Sequence, residues 1–452
     1  MSAQDALMWN IEQDPLLRST ITSVAILDRP PDRERFTERI ARATCSVPRL
    51  RQRVAPVPYG LAPPQYVVDE YFDLGFHLRW ERAPGQGTLR DVLDFAGPFA
   101  MEGFDRARPL WGMTVLEGLE GGRAALVQKL HHSLADGVGA MRISMAFLEG
   151  EREPVPLGPP PPIPAAEHVS PAELLAEGIR YRVTRQAGRV GRLPGAILGA
   201  AGDPVSLATG AWRTVGSAAR MLRPVTEPLS PIMTGRSLSL RLDTLSASLP
   251  ALKAAAHRVD GKLNDAFVAA VAGGLDRYHR LHGAPVDQLR MTMPINVRAK
   301  GADLDGGNQF VPSRFAFPVG EADPVARMRR LKSLVEAQRA EPALHLAGPI
   351  AGLFNRLPVV VTTSVFGGML KAIDVVTSNV PGSPVPIYIS GGRLEANFGY
   401  GPLAGAACNI TLLSYQDDLH LGVATDPAAV PDPEAFVACL ADGLAEIEKL
   451  AV

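Results

Sequence analysis

Seven prolines fall between residues 154 and 164: Pro154, Pro156, Pro159 to Pro162 and Pro164. Proline fixes φ and removes a backbone donor, so neither a helix interior nor a central strand can run through this stretch. The segment reads as an extended linker. A chain of 452 residues is also too long for one small core, and two lobes are the expectation. Composition places the boundaries at 1–150, a linker over 151–235, and 236–452.

Strands and helices are mixed on both sides of the break. Ile21 to Leu27 reads as a strand. After Pro30-Pro31-Asp32, the residues Phe36, Ile40, Ala43 and Val47 recur at helical spacing. Ala124 to Leu130 forms a second strand that runs directly into two histidines. Beyond the linker, Leu238 to Leu242 alternates like a strand. Asn264-Asp265 opens a helix carrying Phe267, Val271, Leu275 and Tyr278, which ends at Gly283. Leu289, Met291 and Met293 alternate as a strand leading into Pro294-Ile295-Asn296-Val297-Arg298. Val325, Met328, Leu331 and Val335 mark another helix. Ile410 to Ser414 and Leu419 to Val423 flank a turn at Tyr415-Gln416-Asp417-Asp418, the pattern of a hairpin. A final helix carries Phe436, Leu440, Leu444 and Ile447. The fold class is α/β, in two lobes.

The stretch from Arg180 to Arg223 holds eight arginines and one acid, Asp203, interleaved with apolar residues. It is either a solvated helix pair joining the lobes or a basic amphipathic surface for anionic lipid or a CoA phosphate. Over the whole chain the formal charge is only −1, which gives no electrostatic case for nucleic acid. Cys45, Cys408 and Cys439 lie far apart, as expected for buried thiols in a reducing cytoplasm and not for a zinc site or disulfide framework. The N-terminal residues lack the pattern of a signal peptide. The apolar run Leu357 to Leu370 is shorter than the roughly 20 residues that span a bilayer.

Chemistry concentrates in His131-His132-Ser133-Leu134-Ala135-Asp136-Gly137. Neighbouring side chains on a strand point to opposite faces, so the two histidines cannot easily share a metal. Alternation sends one ring into the core and the other into a cavity. A histidine of unperturbed pKa near ~6.5 accepts a proton at neutral pH. Asp136 follows His132 across a turn, where its carboxylate is placed to brace the loop. Gly137 and Gly139 leave room for a ligand or backbone to come close. No G-x-S-x-G elbow occurs anywhere in the chain, and no spacing marks Ser133 as a nucleophile.

The HHxxxDG pattern resembles the active-site motif of the CoA-dependent acyltransferase superfamily, which includes chloramphenicol acetyltransferases, carnitine acyltransferases and peptide-synthetase condensation domains. Pro109-Leu110-Trp111 resembles the PLW motif of the bacterial wax ester synthase/diacylglycerol acyltransferase family, and Asn264-Asp265 its ND motif. Ser378-Asn379-Val380-Pro381-Gly382, the Pro294 to Arg298 segment, and Trp9-Asn10 followed by Asp28-Arg29-Pro30 are also similar to that family.

The resemblance implies two chloramphenicol-acetyltransferase-like lobes with an active-site channel at their interface. It implies transfer of a long-chain acyl group from acyl-CoA to diacylglycerol or a long-chain alcohol, with no cofactor beyond that co-substrate and no metal. His132 would be the general base and His131 would support the loop. Asp136 would pair structurally with Arg51 or Arg298. Asn264 would cap its helix or face the active site, and Pro109, Leu110, Trp111 and Asp265 would line the substrate region, Trp111 shaping the wall or the acyl channel. Two other readings remain open: the same base serving a polyketide hydroxyl or carrier-bound amine, and a catalytically weak lipid-binding protein. The implied location is cytoplasmic, at the inner face of the plasma membrane or on lipid droplets.

Overall fold

In the computed structural model the described residues are 1–135, 137–153, 156–184, 225, 227–296, 310–342, 344 and 347–451. Fourteen strands among them build two six-stranded sheets and one two-stranded ribbon. The first lobe contributes β1 (Thr20–Leu27), the ribbon β2 (Gln52–Ala55) and β3 (Gln65–Val68), then β4 (Leu78–Arg82), β5 (Trp111–Glu117) and β6 (Ala124–His131). After the linker come β7 (Arg241–Ser248), β8 (Gln288–Asn296), β9 (Phe310–Pro318) and β10 (Val375–Val380). The last four are β11 (Tyr388–Ile389), β12 (Gly392–Tyr400), β13 (Cys408–Tyr415) and β14 (Asp418–Thr425).

Sheet order departs from chain order at one place. The second sheet runs β7-β14-β13-β10-β8-β9, but β11 and β12 leave it and join the first, ordered β11-β12-β1-β6-β5-β4. β12 pairs antiparallel with β1 from Thr22↔Tyr400 to Leu27↔Leu394. That pairing covers an edge of β1 which would otherwise expose a row of unpaired N–H and C=O groups. The boundary placed at 236 by composition is corrected accordingly: residues 388–400 belong to the first sheet. Periodicity identifies strands but carries no information about which sheet accepts them.

A buried carboxylate pins the crossover from the other side. Glu149 exchanges both backbone hydrogen bonds with Tyr388, at 2.9 and 2.8 Å. Its side chain is held by Arg35 and Arg39 of the helix Arg33–Ser46 and accepts from Ser390 N–H at 2.7 Å.

Most local expectations hold. Asp32 caps the helix Arg33–Ser46 through Arg35 N–H at 2.8 Å. The Phe436, Leu440, Leu444 and Ile447 stripe is buried on Pro433–Glu448, which packs on Leu263–Leu281. Gly283, at φ 64°, stops the latter helix just past its end. The hairpin at Gln416-Asp417 closes with Tyr415 opposite Asp418. All three cysteines are free, Cys408 and Cys439 buried. The strand expected over Leu238 to Leu242 begins only at Arg241 and continues to Ser248, because β14 offers partners from Thr425 back to Asp418. Helix covers 171–184 in the linker, while 185–224, with most of the basic stretch, lie outside the described residues. Leu357 to Leu370 falls mainly in the helix Val359–Lys371, and no described helix is long and apolar enough to cross a membrane.

β12 reaches the first sheet by passing close over β14. A Cβ on Gly422 would sit 2.1 Å from Gly399 O and 2.9 Å from the Tyr400 ring. Gly422→Ala is therefore expected to cost about 2–4 kcal/mol of stability; a thermal melt or urea midpoint unchanged from the parent would contradict the crossing.

Candidate active site

β6 is the first sheet's inner strand between β1 and β5, and it delivers both histidines to one end. His131 N–H donates to Leu110 O at 2.9 Å and His132 N–H to Ser19 O at 2.8 Å. These two bonds fasten the turn to the entry of β5 and the residue before β1.

His131 is fully buried. Its Nδ1 accepts from Ser133 N–H at 3.0 Å and meets Ser133 Oγ at 2.6 Å. With Nδ1 accepting, the ring proton belongs on Nε2, which lies 3.0 Å from Glu12 Oε1 but off the line of a good hydrogen bond. Trp9 and Phe104 meet the ring edge-on at 5.6 and 6.1 Å. Ser133, His131 and Glu12 thus have the connectivity of a hydrolase triad, but not its setting. Ser133 is 4% and His131 0% exposed, and neither lines the cavity. The nitrogen that would take the hydroxyl proton is already occupied by a backbone donor. This group is a brace.

His132 is different. It is half-buried and opens on a cavity of about 540 Å³ between the two sheets, a size suited to a substantial ligand. Its Nδ1 is buried, and the residue lines the cavity wall.

The first sheet supplies one wall, with Ile21, Ser23 and Ala25 from β1 and Gln128 and Leu130 from β6. β12 adds Asn397 and Gly399. Thr411 and Leu413 of β13 face them, with Ser378 and Val380 of β10 beside. A Cβ on Gly399 would lie 3.4 Å from Thr411 Cγ2, ordinary van der Waals contact, so the two sheets approach each other closely here. Tyr415 closes one end: its hydroxyl donates to Leu394 O at 3.0 Å and accepts from Ile387 N–H at 3.1 Å. Thr20 pairs with His131 and Ala25 with Leu126, so this wall runs about 17 Å at ~3.3 Å per residue. The helices Ala347–Phe354 and Val359–Lys371 roof the opposite part through Ile350, Phe366 and Met369.

Several sequence expectations land elsewhere. Leu110 and Trp111 are 0% and 4% exposed, and Pro109, Leu110 and Trp111 are all absent from the cavity wall. Trp111 Nε1 donates to Leu50 O at 2.8 Å, and its ring stacks on His77 at 4.5 Å. His77 stacks on Phe72 and Phe72 on the Arg51 guanidinium. The indole N–H and ring of Trp111 are thus engaged inside the lobe, as a structural role for this motif requires.

Asn264 is the second residue of Leu263–Leu281, not its cap. Asp265 does the capping, accepting from Lys262 N–H at 2.8 Å, and is buried against its own helix start. The Asn264 amide points at Met293 Sδ, 3.8 Å away and behind the β8 residues that line the cavity. Gly137 opens the helix Gly137–Met145. Asp136 and Arg298 lie outside the described residues, and with them the proposed pairing. Arg51 itself donates from Nε to Thr44 Oγ1 at 3.0 Å.

Sequence reasoning passed over Asn397, Gln128 and Arg314, all on the cavity wall. Each is polar within an apolar strand pattern, which was the available signal. Burial, reinforced by the Arg290 charge, lowers the pKa of the Arg314 guanidinium.

Comparison with known proteins places this geometry in context. Residues 1–267 match the family described as wax ester synthase/diacylglycerol acyltransferase catalytic domain, and 306–448 match the WS/DGAT C-terminal domain. A putative diacylglycerol O-acyltransferase of Mycobacterium tuberculosis is 38% identical, across 99% of this chain and 91% of its own. A second from the same organism is 28% identical over 95% and 93%. Among solved structures, the wax ester synthase/diacylglycerol acyltransferase from Marinobacter aquaeolei VT8 has a TM-score of 0.65 at 22% identity, covering 99% and 98%. The first condensation domain of the calcium-dependent antibiotic synthetase has a TM-score of 0.61 at 14% identity, covering 100% and 95%. At such identities the structural likeness concerns the two-lobed fold alone.

Because Ser133 is a brace, Ser133→Ala is expected to keep acyl-transfer turnover within about tenfold of the parent while losing on the order of 1 kcal/mol of stability. Loss of turnover comparable to removal of His132, in a variant that melts normally, would restore Ser133 to the chemistry.

Proposed function

The chain belongs to the wax ester synthase/diacylglycerol acyltransferase family and is an acyltransferase; on that premise we propose that it moves a long-chain acyl group from acyl-CoA to the hydroxyl of diacylglycerol, and of long-chain alcohols, with His132 as general base. The observation that carries this reading is the opening of His132 on a largely apolar cavity between two sheets. Removing the hydroxyl proton as oxygen attacks the thioester carbonyl raises the acceptor's nucleophilicity. The same ring then returns a proton to the departing CoA thiolate. Ester and free thiol leave, and the histidine ends neutral.

Three features support direct transfer. Ser133 is sequestered by His131, no G-x-S-x-G elbow exists, and the cavity touches both lobes, so donor and acceptor can approach the same nitrogen from different sides. Positioning and oxyanion stabilisation supply the remaining acceleration. Asp136 keeps its assignment as a loop brace paired with an arginine. Acyl-CoA is the only co-substrate required. Acceptors of this class are water-insoluble, which places the enzyme's work at the surface of a membrane or lipid droplet, on the cytoplasmic side.

The cavity wall along β1 and β6 fits an acyl tail. About 17 Å of strand accommodates on the order of 13 carbons, taking ~1.3 Å advance per carbon from a bond of ~1.52 Å. Tyr415 and its two backbone bonds form the floor.

Incubation of labelled palmitoyl-CoA with diacylglycerol, hexadecanol or a short amine tests the assignment. The parent is expected to form neutral lipid, and His132→Ala to lose about 10²–10⁴ in rate. Undiminished product from the variant would overturn His132 as base. Ala25, 3% exposed on the tail wall, gives a second test: Ala25→Met should shift competition between octanoyl- and palmitoyl-CoA about tenfold toward the shorter chain. An unchanged ratio would remove the tail from this wall.

A further inference from the structure

The helix Val359–Lys371 is apolar on both sides. Thr362 is buried, and Phe366, Met369 and Leu370 face the cavity. The other side presents Val360, Val361 and Val365 to solvent, at 75%, 45% and 42% exposure, with the exposed Ser364 beside them. Leu353, 60% exposed at the end of the neighbouring helix Ala347–Phe354, and Leu357 in the connecting turn are exposed as well. A surface helix ordinarily turns charged residues outward, and one that is hydrophobic all round expects burial. Contiguous exposed apolar patches mark interaction sites.

We propose that this helix pair is the face with which the enzyme sits on an anionic lipid surface, and that neutral lipid enters the channel beneath it. The proposal rests on the acyltransferase reading above and adds the location of the contact. Charge selects the occupant. From residue 342 to 373 the sequence contains Arg356 and Lys371 but no carboxylate; Lys371 is paired with Asp14 of the first lobe, and Arg356, exposed in the turn, is the cation at the rim. Anionic headgroups complement such a rim. The helix has 13 residues, about 20 Å at ~1.5 Å per residue, short of the ~30 Å bilayer core. It therefore lies in the interface plane.

The arrangement links docking to access. The residues that would enter lipid and the residues that roof the cavity alternate on one helix. Its C-terminal end is tied to the first lobe by Lys371 Nζ and Asp14 Oδ2 at 2.6 Å. The helix Ala3–Ile11 packs against both roof helices and adds Leu7 and Met8 to the cavity wall.

Flotation with vesicles of phosphatidylcholine and phosphatidylglycerol tests the face, using Val360→Glu/Val365→Glu beside the milder Val360→Ser/Val365→Ser. Neither residue lines the cavity. The parent should float, and the glutamate variant should lose about tenfold or more in partitioning, with the serine variant between them. Acylation of a short soluble alcohol should stay within about twofold, while apparent KM for vesicle-borne diacylglycerol rises about tenfold. Flotation of the glutamate variant equal to the parent overturns the proposal, as does loss of a dimer on size exclusion in place of lost lipid binding. No transfer by the parent to either acceptor would count against the functional reading, and flotation would still decide the docking face without turnover.

Discussion

The antiparallel pairing of β12 with β1 is the constraint on which the site depends. It carries a strand from the far side of the linker into the first sheet, and so makes one wall of the cavity out of both halves of the chain. Without it, β1 would end the sheet as an open edge, and Asn397 and Gly399 would not face the channel. Gly422 allows β12 to pass over β14, and Glu149 holds the approach through Tyr388 and Ser390. The wall that presents Ile21, Ser23 and Ala25 is consequently rigid across the lobe interface. Sites built on such strands hold their geometry better than sites on loops.

Two adjacent histidines then do opposite work. The strand's end sends His131 inward, where Glu12, Ser133, Trp9 and Phe104 surround it. The turn, fixed by Ser19 O, sends His132 outward. A reader searching only for a serine beside a histidine would select the wrong pair. Burial and the direction of the Ser133 N–H decide the matter: the pair is inaccessible, and its nitrogen is already an acceptor.

The sequence was most informative where physics is local. Helical stripes such as Phe436 to Ile447, the Asp32 cap and the Gln416-Asp417 turn depend on spacing within a few residues, and each formed as expected. The seven-residue motif is legible for the same reason, and strand alternation alone separates His131 from His132. Long-range pairing was not legible. Nothing in Gly392 to Tyr400 announces that it belongs beside β1, since an apolar strand fits either sheet. Whether Trp111 shapes a wall or lines a channel is a long-range matter too: stacking on His77 and the bond to Leu50 O engage it within the lobe. Asn397 and Gln128 escaped notice because a polar residue in a strand signals a cavity only once the opposite wall is known.

Direct transfer at His132, with no covalent enzyme intermediate, is the central claim, and initial-rate kinetics test it most directly. Velocities would be measured over a grid of palmitoyl-CoA and diacylglycerol concentrations, followed by a search for labelled protein after incubation with the donor alone. Intersecting double-reciprocal lines and no acylated protein are predicted. Parallel lines, or an isolable acyl-enzyme, would contradict the account.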